Sequence, residues 1–184
     1  RQGDALQTLH DVKTVALDKT GTLTEGRPEL TDLIVSDGFD KADVLQSVAA
    51  LEASSEHPIA QAIVRKARLE ALELPEVAEF QSITGYGISG QVDGRTVLVG
   101  ADRLMTRETV NLDSTKTTGD ALGREGKTPL YVAIDGKLAA VIAVSDPIKQ
   151  GTPEAIAALH GLGLSVAMIT GDNKGTADAI ARRL

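Results

Sequence analysis

The stretch Asp18-Lys19-Thr20-Gly21-Thr22-Leu23-Thr24 follows the apolar run Val12-Lys13-Thr14-Val15-Ala16-Leu17. The run reads as a short buried strand, whereas the seven residues after it pack no core well. One acid, one base and small residues around a single leucine suit a loop at a strand end. Open α/β sheets bind ligands beyond the carboxyl ends of their strands. An aspartate there can carry a phosphoryl group covalently, and backbone N–H groups in the Thr20–Thr22 turn can face phosphate oxygens. The competing reading is a solvated cap at Asp18 followed by turn residues, and composition alone leaves the two evenly balanced.

Two further strand ends carry similar residues. Thr170-Gly171-Asp172 follows a predicted strand at 164–169, and Asp146 ends another at Val144-Ser145-Asp146-Pro147. Three acids and two small-residue turns are therefore expected to converge on one sheet edge. Carboxylates without a thiol or a histidine cluster suit a hard cation such as Mg²⁺.

Between these points the periodicity changes. Residues 29–35 read as a strand. Asp40 caps a helix over 41–53 with Val44, Leu45, Val48 and Leu51 on one face. Pro58 opens a second helix reaching residue 72. Strands are expected at 77–83, 88–92 and 96–99, the last two joined by the hairpin signal Asp93-Gly94-Arg95. The polar segment 101–126 reads as two short helical pieces. Strands at 130–134 and 138–144 meet at Asp135-Gly136. A helix at 153–162, the strand at 164–169 and a helix at 173–184 close the chain. The termini thus read as β-then-α units suited to a parallel sheet, and the middle as a meander with helices. The simplest architecture is one α/β domain, residues 1–26 and 141–184, interrupted by an inserted α+β domain at 27–140.

The totals narrow the function. The 19 basic and 26 acidic side chains give a net charge of −7, which argues against non-specific binding to nucleic acid. The absence of cysteine excludes disulfides and thiolate metal sites, and no apolar run is long enough for a membrane span. Both ends read as cut: the chain starts without Met, and it stops inside a helical pattern with no stop signal. A piece of a larger protein is expected.

Two stretches of the middle segment carry binding chemistry. Glu52-Ala53-Ser54-Ser55-Glu56-His57-Pro58-Ile59 places His57 at a helix N-terminus, where a neutral imidazole is favoured and can stack on or hydrogen-bond a nucleotide. An ordinary inter-helix turn is the alternative. Gly85-Tyr86-Gly87-Ile88-Ser89-Gly90 has the spacing of a dinucleotide fingerprint, but a hairpin follows it rather than a helix, so that reading is rejected. The glycines are expected to let backbone approach a flat ligand. Thr118-Gly119-Asp120 repeats the tripeptide of 170–172 inside a polar helical segment and is set aside.

The heptapeptide 18–24 resembles the phosphorylation motif of P-type ATPases, on the haloacid-dehalogenase-like fold. Thr170-Gly171-Asp172 and Asp146-Pro147-Ile148-Lys149 resemble two further motifs of that family, in the right order. Ser55-Glu56-His57-Pro58 resembles the hallmark of its heavy-metal-transporting subclass. The resemblance implies an incomplete Rossmannoid phosphorylation domain interrupted by an α+β nucleotide-binding domain with an antiparallel sheet. It implies that Asp18 takes the γ-phosphate of ATP, Lys19 holds a phosphate oxygen, and Asp18 and the Thr20 carbonyl bind Mg²⁺. Thr170, Gly171 and Asp172 would form the phosphoryl pocket, supported by Asp146 and Lys149. Glu52 would contact adenine, Glu56 and His57 belong to the nucleotide-orienting hallmark, and Gly85, Gly87, Ile88 and Gly100 match the nucleotide-site pattern. Many members have Asn after that last glycine; here it is Ala101.

The resemblance also implies partners: membrane and actuator domains of the same parent chain, at the cytoplasmic face of a membrane, and a transported heavy-metal cation. A Gly-Asp-Gly-x-x-Asn-Asp motif with another Mg²⁺ ligand would lie beyond Leu184, so this piece is expected to bind ATP with little turnover. The patterns at 87–94 and 146–149 resemble copper exporters more than zinc, cadmium or lead exporters. A soluble phosphatase of the same fold would want a second acid at position 20, where Thr20 has no usable acid–base chemistry. A nucleotide-sensing module without catalysis is the remaining alternative.

Overall fold

The computed structural model describes residues 11–172 and 174–184. Two sheets are present. The small one pairs β1 (Thr14–Asp18) with β8 (Ser165–Ile169) in parallel, with Asp18 opposite Ile169. The large one is antiparallel. It contains β2 (Glu29–Val35), β3 (Val77–Ile83), β4 (Gly87–Val92), β5 (Arg95–Gly100), β6 (Thr128–Ile134) and β7 (Lys137–Ser145), in the spatial order β2-β7-β6-β5-β4-β3.

Period-two alternation builds the large sheet's two faces. Val97, Val99, Val132, Ile134, Ala140, Ile142 and Val144 enter one core, against α1 (Lys41–Glu52) and α2 (Pro58–Leu69). The alternate residues Leu98, Tyr131, Ala133, Val141 and Ala143 enter a second core, against α3 (Asp102–Arg107) and α4 (Lys116–Arg124). Helices cover both faces, which is why β5, β6 and β7 read as nearly continuous apolar runs. Both predicted hairpins form with left-handed residue pairs, Asp93-Gly94 (φ 50 and 74) and Asp135-Gly136 (φ 49 and 75). The Asp40 carboxylate accepts from the N–H groups of Ala42 and Asp43 (2.9 and 3.0 Å), capping α1 as expected.

Two expectations need correction. Asp146 does follow a strand, but that strand is β7 of the antiparallel sheet and not a third member of the parallel one. β7 also runs unbroken through Ala140 and Val141, both fully buried, so the expected seam at 140/141 falls inside a strand. The chain leaves the large sheet only after Ser145. It then forms α5 (Thr152–Gly161), β8 and α6 (Lys174–Ala181). The helix expected from residue 173 is observed from Lys174; Asn173 and the first ten residues of the expected N-terminal segment lie outside the described residues. Among the described residues no helix is long and apolar enough to cross a membrane.

Gly119 shows why a small residue interrupts α4. A Cβ there would lie 2.0 Å from the Tyr131 hydroxyl, and Tyr131 is itself buried at 5% exposure. Gly119→Ala should destabilise the protein by about 1–3 kcal/mol, the usual scale of overpacking. Tyr131→Phe introduced alongside should recover part of the loss. Urea unfolding of the two single variants and the double variant measures this.

Candidate functional site

Residues 19–23 form a tight loop off the end of β1. Gly21 takes φ +76 there, and Leu23 and Thr24 are buried beneath it. Thr24 forms a β-bridge with Ile148, Glu25 N–H donates to the Pro147 carbonyl (2.8 Å), and Lys149 N–H donates to the Leu23 carbonyl (3.1 Å). The Thr24 hydroxyl lies between the Lys19 carbonyl (2.9 Å) and Asp146 Oδ2 (2.6 Å). The other Asp146 oxygen accepts from the N–H of Arg27 (3.1 Å). Lys149 Nζ donates to the Gly21 carbonyl (2.6 Å), and the Thr152 hydroxyl to the Leu23 carbonyl (2.8 Å). Asp146 and Lys149 thus hold the loop's shape from behind, one by its hydroxyl and backbone, the other by a carbonyl.

The parallel register sets the second loop beside the first. Asp18 is exposed at the tip of β1, and Thr170 follows Ile169 at the tip of β8. Lys19 Nζ meets Asp172 Oδ2 at 2.5 Å, with the two side chains only 12% and 18% exposed. Asp172 N–H in turn donates to the Thr170 hydroxyl (3.1 Å). The acids therefore do not gather around one point as expected. Asp172 is satisfied by Lys19 and Asp146 by Thr24 and Arg27, which leaves Asp18 as the exposed carboxylate of the three. Among the described residues no group of three or more acidic or histidine side chains is placed to hold a metal.

A cleft of 1150 Å³ opens between these loops and the large sheet. Its walls include Thr20, Thr170, Gly171 and Asp172 from the loops, and Glu52, His57, Gly85, Gly87, Ile88 and Gly100 from the sheet side. Thr20 and Thr170, 150 positions apart in sequence (170 − 20), thus face one space with the sheet-side residues. α6 fixes this relation: the Thr176 hydroxyl donates to the Lys127 carbonyl (3.1 Å) next to α4, and Ile180 lies against Gly126. Of the predicted site residues, Asp18, Lys19, Asp146 and Lys149 are not among those that line the cleft. Glu56 is exposed outside it, with its carbonyl accepting from Gln61 Nε2 (3.4 Å).

His57 caps α2: its Nδ1 accepts from Ile59 N–H (3.2 Å), so Nε2 is the ring nitrogen left for a ligand. Glu52 is the last residue of α1, only 7% exposed, and its carboxyl has no hydrogen-bond partner among the described residues. Burial raises it from 4.5 to about 7.

The glycines divide into two kinds. Gly87 and Gly100 are register partners across β4 and β5. A Cβ on Gly87 would lie 2.1 Å from the Val99 carbonyl oxygen, and one on Gly100 would lie 2.3 Å from that of Tyr86. These two are small because strand meets strand, and both also line the cleft. Gly85 (φ +78) has open space at its Cβ position and faces the cleft freely.

The structure adds wall residues that the sequence did not single out. Arg103 and Arg124 sit on short polar helices and read there as solvated charges. Gly119 and Asp120, set aside above, do line the cleft although they lie in a helix. Tyr86 carries the Arg103 and Arg107 guanidinium groups at 5.8 and 5.4 Å from its ring centre.

A sequence profile for haloacid dehalogenase-like hydrolases matches residues 12–184. The chain belongs to that family. It is 56% identical over all 184 residues to copper-transporting ATPase 2 of Rhizobium meliloti (strain 1021), covering 100% of this chain and 22% of that protein. To the silver exporting P-type ATPase of Salmonella typhimurium it is 41% identical, again over 100% of this chain and 22% of the relative. It superposes on the crystal structure of a zinc-transporting PIB-type ATPase in the E2·Pi state with a TM-score of 0.77 and 35% identity. That match covers 99% of this chain and 29% of the other. The chain therefore spans about a fifth of the length of the curated relatives it matches.

The buried acid of this site has a measurable signature. The folded chain holds the Glu52 proton until about pH 7, whereas the unfolded chain releases it near 4.5. Glu52's contribution to stability should be full below pH 4.5, fall as pH rises to 7, and stay flat above. The drop should be about 3 kcal/mol. Glu52→Gln should abolish this slope, read as urea unfolding free energies across pH 4.5–8.

Proposed function

We propose that this chain is the ATP-binding and phosphoryl-accepting segment of a heavy-metal-exporting P-type ATPase, with copper as the cargo. Residues 11–26 with 146–184 form the phosphorylation unit, and residues 27–145 the nucleotide unit. The observation that carries the reading is the parallel pairing of β1 and β8. It sets the exposed Asp18 beside the Thr170 loop, with the Lys19–Asp172 ion pair spanning the two.

In the proposed reaction an Asp18 carboxylate oxygen attacks the γ-phosphorus of ATP. The bond to the bridging oxygen breaks, ADP leaves with that electron pair, and an aspartyl phosphate remains. Lys19 supplies positive charge beside the transferred group, and the Thr170 hydroxyl sits across from it. The Asp18 carboxylate and the Thr20 carbonyl are both hard oxygen donors. They suit Mg²⁺, which keeps several waters and shares substrate phosphates rather than needing an all-protein cage. When bound, Mg²⁺ would neutralise phosphate charge. Water later cleaves the acyl phosphate to regenerate Asp18 and release phosphate. Thr20 cannot act as general base for that step, so the intermediate persists until another domain of the parent supplies one. This favours a pump over a soluble phosphatase.

On the nucleotide side, a neutral Glu52 both donates and accepts a hydrogen bond. That pattern complements the amino group and ring nitrogen of adenine, whereas guanine offers two donors. The cargo reading rests on the 56% identity to a copper-transporting relative, above the 41% to a silver exporter and the 35% to a zinc transporter's structure. Membrane and actuator domains of the parent are the proposed partners, with this segment at the cytoplasmic face.

Two measurements check this. In the full-length parent, Asp18→Asn should abolish the acid-stable, hydroxylamine-sensitive label from γ-labelled ATP; a label persisting on another residue refutes the assignment. In this chain, Glu52→Gln should keep ATP affinity within a few-fold, while Glu52→Ala should lose about tenfold, the scale of one lost buried hydrogen bond. Calorimetric titration reads the difference.

A further inference from the structure

We propose that Arg103 binds the phosphates of the nucleotide in the cleft; this rests on the nucleotide reading above. Ala101, which follows Gly100, gives the cleft no polar side chain, and the next residues take over that wall. Arg103 Nε donates to the Gly85 carbonyl (2.6 Å), and Ala101 N–H donates to the Tyr86 carbonyl (3.1 Å). The start of α3 is therefore stitched to the Gly85-Tyr86 turn at two successive carbonyls. The Asp102 carboxylate turns back onto the N–H of Arg103 (2.7 Å), and the Arg103 guanidinium lies 5.8 Å from the centre of the Tyr86 ring.

This anchoring fixes the guanidinium plane through Nε and leaves both Nη amino groups to donate elsewhere. A planar fork of that kind matches phosphate oxygens bidentately. Its position was settled on folding, so little side-chain freedom remains to be lost on binding.

Charge balance points to the same residue. A nucleotide triphosphate brings several negative charges to a wall that already holds Asp102, Asp120 and Asp172. Lys19 lies at the phosphoryl-accepting loop, paired with Asp172. Among the described wall residues the arginines are Arg103 and Arg124. Arg124 is anchored through Nε as well, but to the Asp120 carbonyl of its own helix (3.2 Å) rather than to the glycine turn. Arg103 sits instead on the open turn at Gly85, which has free space above it.

The test is calorimetric titration of ATP, ADP, AMP and adenosine into the 184-residue chain and its variants at low salt, with thermal melts as a folding control. Arg103→Ala should weaken ATP about tenfold, the value of one charge-assisted bidentate contact. It should weaken ADP less and leave AMP and adenosine within about twofold. Arg103→Gln, which keeps a donor for the Gly85 carbonyl, should show the same phosphate-graded loss if the alanine variant does not fold. The loss should shrink as salt screens the charge. Equal weakening of adenosine and ATP would show that Arg103 only shapes the turn, and an unchanged ATP affinity would remove it from the site; either result overturns the proposal. Glu52→Ala and His57→Ala separate the two readings. If they weaken ATP while Arg103→Ala does not, the Arg103 assignment alone fails. If they too leave ATP binding unchanged, the nucleotide site itself is misplaced.

Discussion

The parallel pairing of β1 with β8 is the constraint on which the rest depends. Parallel strands cannot be joined by a tight turn; they need a crossover. Here the crossover includes the entire six-stranded sheet and its helices, because everything between Asp18 and Ser165 lies between the two paired strands in sequence. The register places Asp18 opposite Ile169, so the loops that follow each strand leave the sheet side by side. The Lys19–Asp172 ion pair then ties those loops together. At 12% and 18% exposure it is partly shielded from solvent, where a charge pair is worth more than on an open surface.

The large sheet contributes rigidity and a wall. Helices on both faces bury most of β5, β6 and β7, and the hairpin of β4 and β5 is drawn so close that Gly87 and Gly100 have no room for a side chain. That close contact fixes the Gly85-Tyr86 turn at the cleft mouth. On the same side of the cleft, α1 ends at the largely buried Glu52, while α2 begins at a histidine whose ring is oriented by its own cap. Both groups carry hydrogen-bonding capacity that the protein does not use internally. That capacity is open to a ligand in the cleft.

Much of this was legible along the chain. The Asp18 loop, the Thr170 loop, both hairpins and the capped helices each depend on neighbours within a few residues. Local rules of turn chemistry, capping and periodicity therefore reach them. The assignment of Asp146 failed because β7 looks the same, read alone, whether its partners run parallel or antiparallel: an apolar run buried on both faces carries no mark of direction. Glu56 and His57 are adjacent in one motif and both are exposed, yet only the histidine lines the cleft, its ring held by the N-cap. Gly119-Asp120 was set aside because it lies in a helix, and that helix proves to form part of the cleft.

The sequence by itself determined the chemistry available at each strand and helix end, the turns, and the alternation that gives the large sheet two apolar faces. These are properties of short stretches, set by backbone sterics and by side-chain period. Only the tertiary structure decided that Lys19 pairs with Asp172, that Glu52 is largely buried at the cleft wall, and that Arg103 is anchored on the Gly85 turn. Each of those depends on distance and solvent exclusion between residues far apart in the chain, quantities that come into existence only when the elements pack.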